Sequence, residues 1–375
     1  MTLPRKSTDI LLFVEDPGAA NFVAGLPDVL HRSGLSSHLA TAGAATSYLR
    51  QRHVEVDPLP PQCDLEALVS RLAPRLILVG TAENPDNYGL RLTAIAGARR
   101  IPSIGVIDSS THLDFRFRGH SANPLEFCPA TVIVPDAMCR GSFVKLGVAE
   151  DRIVVTGHPH WDHVRTTHRA LQQGDRGELR RRLFQLPSPA LTVVLFAAEV
   201  SGGMSPDQFQ LSDDYALKGT GTSRGRTEIV IEEFLHATAP RRRELHLVLR
   251  LHPKHRPQDL SAYAGEFDSV SRVERALEVV YAADAVVGMT STMLVEAVLM
   301  GRPTLSILPR AREAQWLQTI AAGVTPYAST RGEVETQLAR LWQPSLPPAQ
   351  NELERLFPSG ALERVAAHCA ALLTR

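Results

Sequence analysis

The chain has no excess charge of either sign, no long apolar run and only four scattered cysteines, and each absence removes a class of function. Lys+Arg and Asp+Glu both number 40, so the formal net charge is zero and the pI is about 7.3. A balanced chain carries no electrostatic footprint for nucleic acid or anionic lipid. The local basic triplet Arg180-Arg181-Arg182 reads as a solvated helix face. No window approaches the roughly 18 apolar residues of a membrane-spanning helix. The short apolar run in "MTLPRKSTDILLFVEDPG" meets an acidic pair too early for a signal peptide. Cys63, Cys128, Cys139 and Cys369 form no Cys-x-x-Cys pair and no zinc-type His-Cys spacing. Reduced thiols in a soluble, cytoplasmic protein are expected. Repeats and low-complexity tracts are also missing. What is present is ordinary for a globular protein, 44% hydrophobic and 21% charged residues, over a length of 375 that suits two domains with separate cores.

Short β-branched runs alternate with longer amphipathic ones. "ILLFV", "SSHLAT", "RLILVG", "PSIGVID", "ATVIVPD" and "DRIVVTG" read as strands. "ANFVAGLPDVLHRSG", "DLEALVSRLAP", "NYGLRLTAIAGARR" and "AMCRGSFVKLG" read as helices between them. Strand and helix in alternation imply a parallel sheet covered on both faces. The pattern breaks over His158 to Ala190, and a second series starts with "LTVVLFA", "ELHLVLRLHP", "ADAVVGM" and "PTLSIL". Expected domains are residues 1–165, a linker over 166–188, a second domain over 189–355 and a closing helix over 356–375. Glu199 to Arg226 is polar and Gly/Ser-rich, and it reads as a mobile active-site flap.

Doubly wound sheets bind ligands beyond the carboxyl ends of their strands, so candidate residues are sought there. In "VVGMTSTMLVEAVLMGRPTLSI", Thr290, Ser291 and Thr292 fall at a helix start, where hydroxyls and free backbone N–H groups suit phosphate. Glu296 lies one turn further on and suits the hydroxyls of a ribose, and Gly301 ends the helix. After "ELHLVL", His252 and Lys254 are placed to neutralise a departing phosphate. In "EDPGAANF", Asp16 is a candidate base, Gly18 permits close backbone approach and Asn21 is a candidate helix cap. In "DSSTHLDFRFRG", His112 and Asp114 read as base and orienting partner, and Asp108, Arg116 and Arg118 as acceptor-binding groups. Glu199 joins them by following a strand. His158, His160, Asp162, His163 and His168 contain a His-x-His pattern that can hold zinc, but they fall where the first domain closes and no metal is assigned to them.

"LRLHPK" and "ADAVVGMTSTMLVEAVLMGRP" resemble the donor-binding domain of GT-B glycosyltransferases. They are similar to the His-Pro and Ser/Thr motifs of bacterial GT-B sialyltransferases and of the glycerophosphotransferases of teichoic acid synthesis. The spacing from Glu296 to Pro303 also resembles the nucleotide-sugar site of the bacterial GlcNAc transferase of peptidoglycan assembly. The resemblance implies an α/β GT-B fold, two Rossmann-like doubly wound domains facing a central cleft. It places phosphate on His252, Ser291 and Thr292 and ribose on Glu296. The expected function is metal-independent, inverting transfer of a sugar from a nucleotide sugar, here a co-substrate, to an acceptor, in bacterial secondary or cell-surface glycan biosynthesis. No other cofactor, nucleic acid or transmembrane segment is expected, and a homodimer is admissible. The first half offers "VEDPGAANF" where many such enzymes carry a Gly-rich loop. It also has no Gly-Asp-Thr like that of the non-hydrolysing UDP-GlcNAc 2-epimerases, which places a nucleotide-sugar epimerase second. The same fold also admits a CDP-polyol phosphotransferase and a catalytically silent binding protein.

Overall fold

In the computed structural model of the protein, residues 8–200, 210–256, 258–272, 274–343 and 348–374 are described. Elements follow in the order β1 (Ile10–Val14), α1 (Pro17–Val23), α2 (Leu26–Arg32), β2 (Ser37–Thr41), α3 (Gly43–Gln51), β3 (Asp57–Pro58), α4 (Leu65–Leu72), β4 (Leu76–Gly80), α5 (Tyr88–Arg99), β5 (Ser103–Val106), β6 (Thr131–Val134), α6 (Ala137–Leu146) and β7 (Ile153–Val155). There follow α7 (Pro159–Leu171), α8 (Arg176–Phe184), β8 (Thr192–Ala197), α9 (Arg226–Thr238), β9 (Leu245–Arg250), α10 (Ser261–Ala264), β10 (Ser269–Ser271), α11 (Ala276–Ala282), β11 (Ala285–Gly288) and α12 (Thr292–Leu299). The chain closes with β12 (Thr304–Ile307), α13 (Gln318–Ala321), β13 (Tyr327–Ala328), α14 (Arg331–Leu341), α15 (Gln350–Leu356) and α16 (Ala361–Leu373). Two compact units result, Met1–Asp162 with Phe357–Arg375, and His163–Leu356.

The first unit is a seven-stranded parallel sheet of order β3-β2-β1-β4-β5-β6-β7. All five residues of β1 are buried, because the pleat sends them alternately to two covered faces. Ile10, Leu12 and Val14 pack with Phe22, Leu26 and Leu30, while Leu11 and Phe13 pack with Leu65, Leu68 and Leu92. Each such side chain contributes about 1.5–3 kcal/mol of burial. The closing helix α16 belongs to this unit: Val365, Ala366 and Cys369 join the core beneath β1. Its first N–H groups are those of Gly360 and Ala361, which donate to the Asp162 carboxylate at 3.1 and 2.9 Å.

The second unit is a six-stranded parallel sheet of order β10-β9-β8-β11-β12-β13. Residues 166–188, read as a linker, form the rest of α7 and α8, and they dock here. Arg180 is no solvated face residue: with Arg176 it binds the carbonyls that end α11 and the Asp284 carboxylate, at 2.6 Å from Arg180 and 2.9 Å from Arg176. Cations belong at a helix C-terminus, where the macrodipole is negative. Asp284 also accepts from Val193 N at 2.8 Å, tying α8 to the start of β8.

Part of the segment read as a flap is fixed by buried carboxylates. Gly219 N donates to Glu233 at 2.9 Å and Thr220 N to Glu232 at 2.6 Å, both on α9, and Tyr215 and Leu217 are buried. Residues 201–209 of that reading lie outside the described residues. No helix among the described residues is long and apolar enough to cross a membrane.

Burial alone would raise the pKa of Asp284, but hydrogen bonds from Arg180, Val193 N–H and Arg176 overturn that and hold it below its ordinary value. Its contribution is therefore present above the unfolded carboxyl pKa, about 3.9, and is lost as pH falls through the lower folded value. Asp284→Asn should cost about 1–3 kcal/mol at neutral pH. In urea titrations the gap between wild type and variant should close below about pH 4.

Candidate functional site

In both sheets the strand order reverses beside the first strand, between β1 and β4 and between β8 and β11. Those switch points are where doubly wound sheets leave a crevice at their carboxyl ends. Charged side chains gather at each.

In the first unit, β1 delivers Glu15 and Asp16 to the start of α1. Asp16 caps that helix, its Oδ1 accepting from Gly18 N at 3.2 Å, and Pro17 fills the first helical position, where no N–H is needed. Glu15 accepts from Tyr88 N at 3.1 Å at the start of α5. After β4, Glu83 Oε1 lies 2.7 Å from His112 Nδ1. After β5, Asp108 Oδ1 accepts from Arg116 Nη1 at 2.9 Å, and Arg116 Nη2 donates to Ser109 Oγ at 2.8 Å and Thr111 O at 3.3 Å. A methyl group on Gly18 would lie 1.8 Å from Asp108 Oδ2, so only glycine lets this carboxylate rest on α1. His112 holds a left-handed backbone, φ 49° and ψ 46°, unusual for a non-glycine residue.

Arg116 is buried. Burial works against its charge, but the carboxylates of Asp108, Glu83 and Asp16, in that order, raise its pKa above the ordinary value. The structure thus gathers Asp16, Gly18, Asp108, His112 and Arg116. It does not pair His112 with Asp114, which sits in the 3-10 turn Leu113–Phe115. The left-handed backbone at His112 is followed by that turn, and Glu83 is the partner instead. Arg118 stacks on Phe115 at 4.8 Å and donates to Ser121 O at 3.2 Å. Asn21 does not cap α1, being inside it, and its side chain accepts from Tyr48 Oη at 2.8 Å and Arg52 Nη1 at 2.6 Å.

Three histidines of the zinc-like spacing are packed against other side chains, and His163 is exposed. His158 and His160 are buried with Trp161, and burial depresses both imidazoles, His160 to about 3. Asp162 caps α16 and His168 packs on Tyr281 at 5.7 Å.

In the second unit, Ser291 caps α12, its Oγ accepting from Met293 N at 3.3 Å, with Thr292 as first helical residue. Gly301 ends the helix at φ 66°. Glu296 faces inward and is buried. The loop after β9 is folded on its own histidines: His252 N donates to His255 Nδ1 at 3.0 Å, and Lys254 N donates to His252 Nδ1 at 3.1 Å. That bond leaves the neutral His252 ring its proton on Nε2. Lys254 is exposed. Glu199, after β8, receives Thr290 N at 2.5 Å and Thr290 Oγ1 at 3.1 Å, and Arg226 Nη1 at 2.7 Å. The other edge of Arg226 holds Glu313, with Nε at 2.9 Å, and Arg310 Nε reaches Glu313 at 2.6 Å.

Sequence reasoning misses Glu83, Arg226, Arg310 and Glu313. Glu83 follows "RLILVG" by three residues, the same signal that marks Asp108 and Glu199. The buried Arg–Glu chain has no local signal, since its members come from α9 and the segment after β12.

No protein-family model matches the chain, and no curated protein does. Solved structures match over nearly its whole length. The UDP-GlcNAc 2-epimerase of Neisseria meningitidis, bound to UDP-GlcNAc, is 13% identical with a TM-score of 0.66, covering 98% of this chain and 100% of that one. The UDP-GlcNAc 2-epimerase of Methanocaldococcus jannaschii is 10% identical with a TM-score of 0.65, covering 96% and 99%. The glycotransferase of kitacinnamycin is 13% identical with a TM-score of 0.57, covering 98% and 99%. The protein has the GT-B fold, two Rossmann-like α/β domains. Within that class, these two epimerases superimpose on it with higher scores than this transferase does.

Removing Arg226 leaves Glu199 and the buried Glu313 without their shared cation. Arg226→Ala should lower unfolding stability by about 1–3 kcal/mol in urea titrations, the cost of lost charge-assisted hydrogen bonds while Arg310 still holds Glu313.

Proposed function

We propose that the protein is an enzyme acting on a nucleotide-activated sugar, and that it inverts a sugar carbon in preference to moving the sugar onto an acceptor. One observation carries this reading. At the first unit's switch point two groups able to take or give a proton lie around the buried Arg116, the Asp108 carboxylate that it binds at 2.9 Å and the Glu83–His112 pair at 2.7 Å. Inverting a carbon takes hydrogen from one face and returns it to the other, which calls for two such groups. Transfer to a hydroxyl calls for one base. This reverses the order of the two readings expected from the sequence, where transfer stands first.

The second unit supports a nucleotide. The hydroxyls of Ser291 and Thr292 stand at the start of α12, His252 follows β9 with its Nδ1 accepting from Lys254 N, and Glu296 sits one turn into the helix. We assign phosphate to the hydroxyls and His252, and ribose to Glu296. Support also comes from the solved structures of this fold, one holding UDP-GlcNAc and another, from Staphylococcus aureus, holding UDP.

Incubation with UDP-GlcNAc in heavy water, without an acceptor, should give the 2-epimer carrying deuterium at the inverted carbon by NMR. Asp108→Asn and Glu83→Gln should each slow this by about 10²–10⁴-fold, the usual worth of a positioned acid or base. Sugar consumption that needs an added hydroxyl acceptor, with no deuterium uptake, would sink inversion and leave transfer.

Thermal shifts with UDP, CDP, GDP and dTDP test the other unit. A nucleotide at 100 times its dissociation constant should stabilise the wild type by about 2.7 kcal/mol. Glu296→Ala and His252→Ala should lose that shift, whereas Asp108→Asn should keep it. A flat response to every nucleotide would reject the nucleotide site.

A further inference from the structure

The Glu199 carboxylate sits on a cluster of donors that suits an anionic oxygen, next to the hydroxyls assigned above to phosphate. Its Oε1 takes the Thr290 backbone N–H at 2.5 Å, and its Oε2 takes Thr290 Oγ1 at 3.1 Å and Arg226 Nη1 at 2.7 Å. Arg226 is 2% exposed, and its remaining edge is committed to Glu313, itself fully buried and shared with Arg310. Asp214 approaches Arg310 at 3.8 Å from the exposed side. With Glu199 turned away, three donors in one place lack an acceptor, and one of them is a buried cation that water cannot reach from its other edge. Unmet donors around a buried charge demand an anionic oxygen.

The backbone of Glu199 is fixed independently of its side chain. Thr227 Oγ1 donates to Glu199 O at 2.6 Å, and Ala198 N donates to Arg250 O at 2.9 Å. The Glu199 side chain, by contrast, keeps 18% of its surface exposed. Rotation about its own bonds can therefore release Thr290 and Arg226 without moving the end of β8.

We infer that Glu199 is a built-in competitor for the phosphate of the nucleotide, occupying the Arg226–Thr290 anion site in the empty protein and leaving it when a nucleoside diphosphate binds. The inference rests on the nucleotide-binding reading of the second unit. It makes Glu199 a residue that sets affinity: part of the binding energy of the phosphate goes into displacing a carboxylate, so the apparent dissociation constant is raised by the reciprocal of the fraction of molecules with the site open. It also gives the ion-paired chain Arg310–Glu313–Arg226 a role beyond folding, since it holds the guanidinium at a place where either anion can meet it.

Calorimetric titration of the full chain tests this with UDP, CDP and GDP, and with inorganic phosphate as a second probe, in the wild type, Glu199→Gln and Glu199→Asp. The amide keeps the hydrogen-bonding shape and loses the charge, while the shorter acid keeps the charge and loses the reach to Thr290. If one variant fails to fold by circular dichroism, the other carries the test. The folded variants should bind the nucleotide about tenfold more tightly than the wild type. Equal or weaker binding overturns the inference. Should no nucleotide bind to any form, phosphate separates the two ideas: binding to the variants and not to the wild type upholds the competitor role while the nucleotide reading fails, and no phosphate binding by any form rejects both.

Discussion

Parallel strands covered on both faces gather the charged side chains of the protein at the carboxyl ends of its two sheets. The strands satisfy their backbone groups sideways, helices seal both faces with apolar side chains, and the carboxyl ends are where the chain re-emerges with polar groups. β1 shows the constraint at full strength. Its five residues are all buried, and the next two are Glu15 and Asp16. β8 repeats it in the second unit, with Glu199 arriving two residues after the strand ends. The acidic clusters at the two switch points follow from sheet order together with what each strand hands over at its end.

A carboxylate delivered to such a place needs a cation or N–H groups, because desolvation costs more than a lone charge can recover. The two units answer this differently. In the first, Arg116 comes from eight residues beyond Asp108, so partner and carboxylate ride on one loop, and Gly18 leaves room for the carboxylate to lie against α1. In the second, Arg226 and Glu313 come from distant parts of the chain and interlock with Arg310. The local pair leaves Glu83 and His112 beside it as a separate hydrogen-bonded pair. The interlocked chain fixes the Arg226 guanidinium between Glu199 and Glu313.

Legibility follows length and periodicity. Runs such as "ILLFV", "RLILVG" and "LTVVLFA" are strands almost to the residue, since four to six consecutive apolar side chains have no other way to be buried on two faces. β3, β10 and β13 are illegible because two or three residues with polar members carry no period. The helix α9 is hidden by the polar segment before it. Its Glu232 and Glu233 look like solvent-facing acids, yet they are buried as partners for Gly219, Thr220 and Arg331. The rule that chemistry follows strand ends picks out Asp16, Asp108, Glu199 and Thr290. Proximity in sequence pairs His112 with Asp114 and makes Asn21 a helix cap, whereas three-dimensional packing gives His112 to Glu83 and Asn21 to Tyr48 and Arg52.

Consecutive residues are enough to read a parallel α/β protein of two doubly wound domains, because burial periodicity is a property of neighbours along the chain. They also show which strand ends carry hydroxyls and carboxylates. Which charges meet emerges from the folded chain: Glu83 rather than Asp114 faces His112, Arg116 is sealed against Asp108, and Glu199 lies on Thr290 and Arg226, just as the last helix is found completing the first core. Pairing of buried charges depends on distances between segments far apart in the chain, and no local pattern encodes those distances.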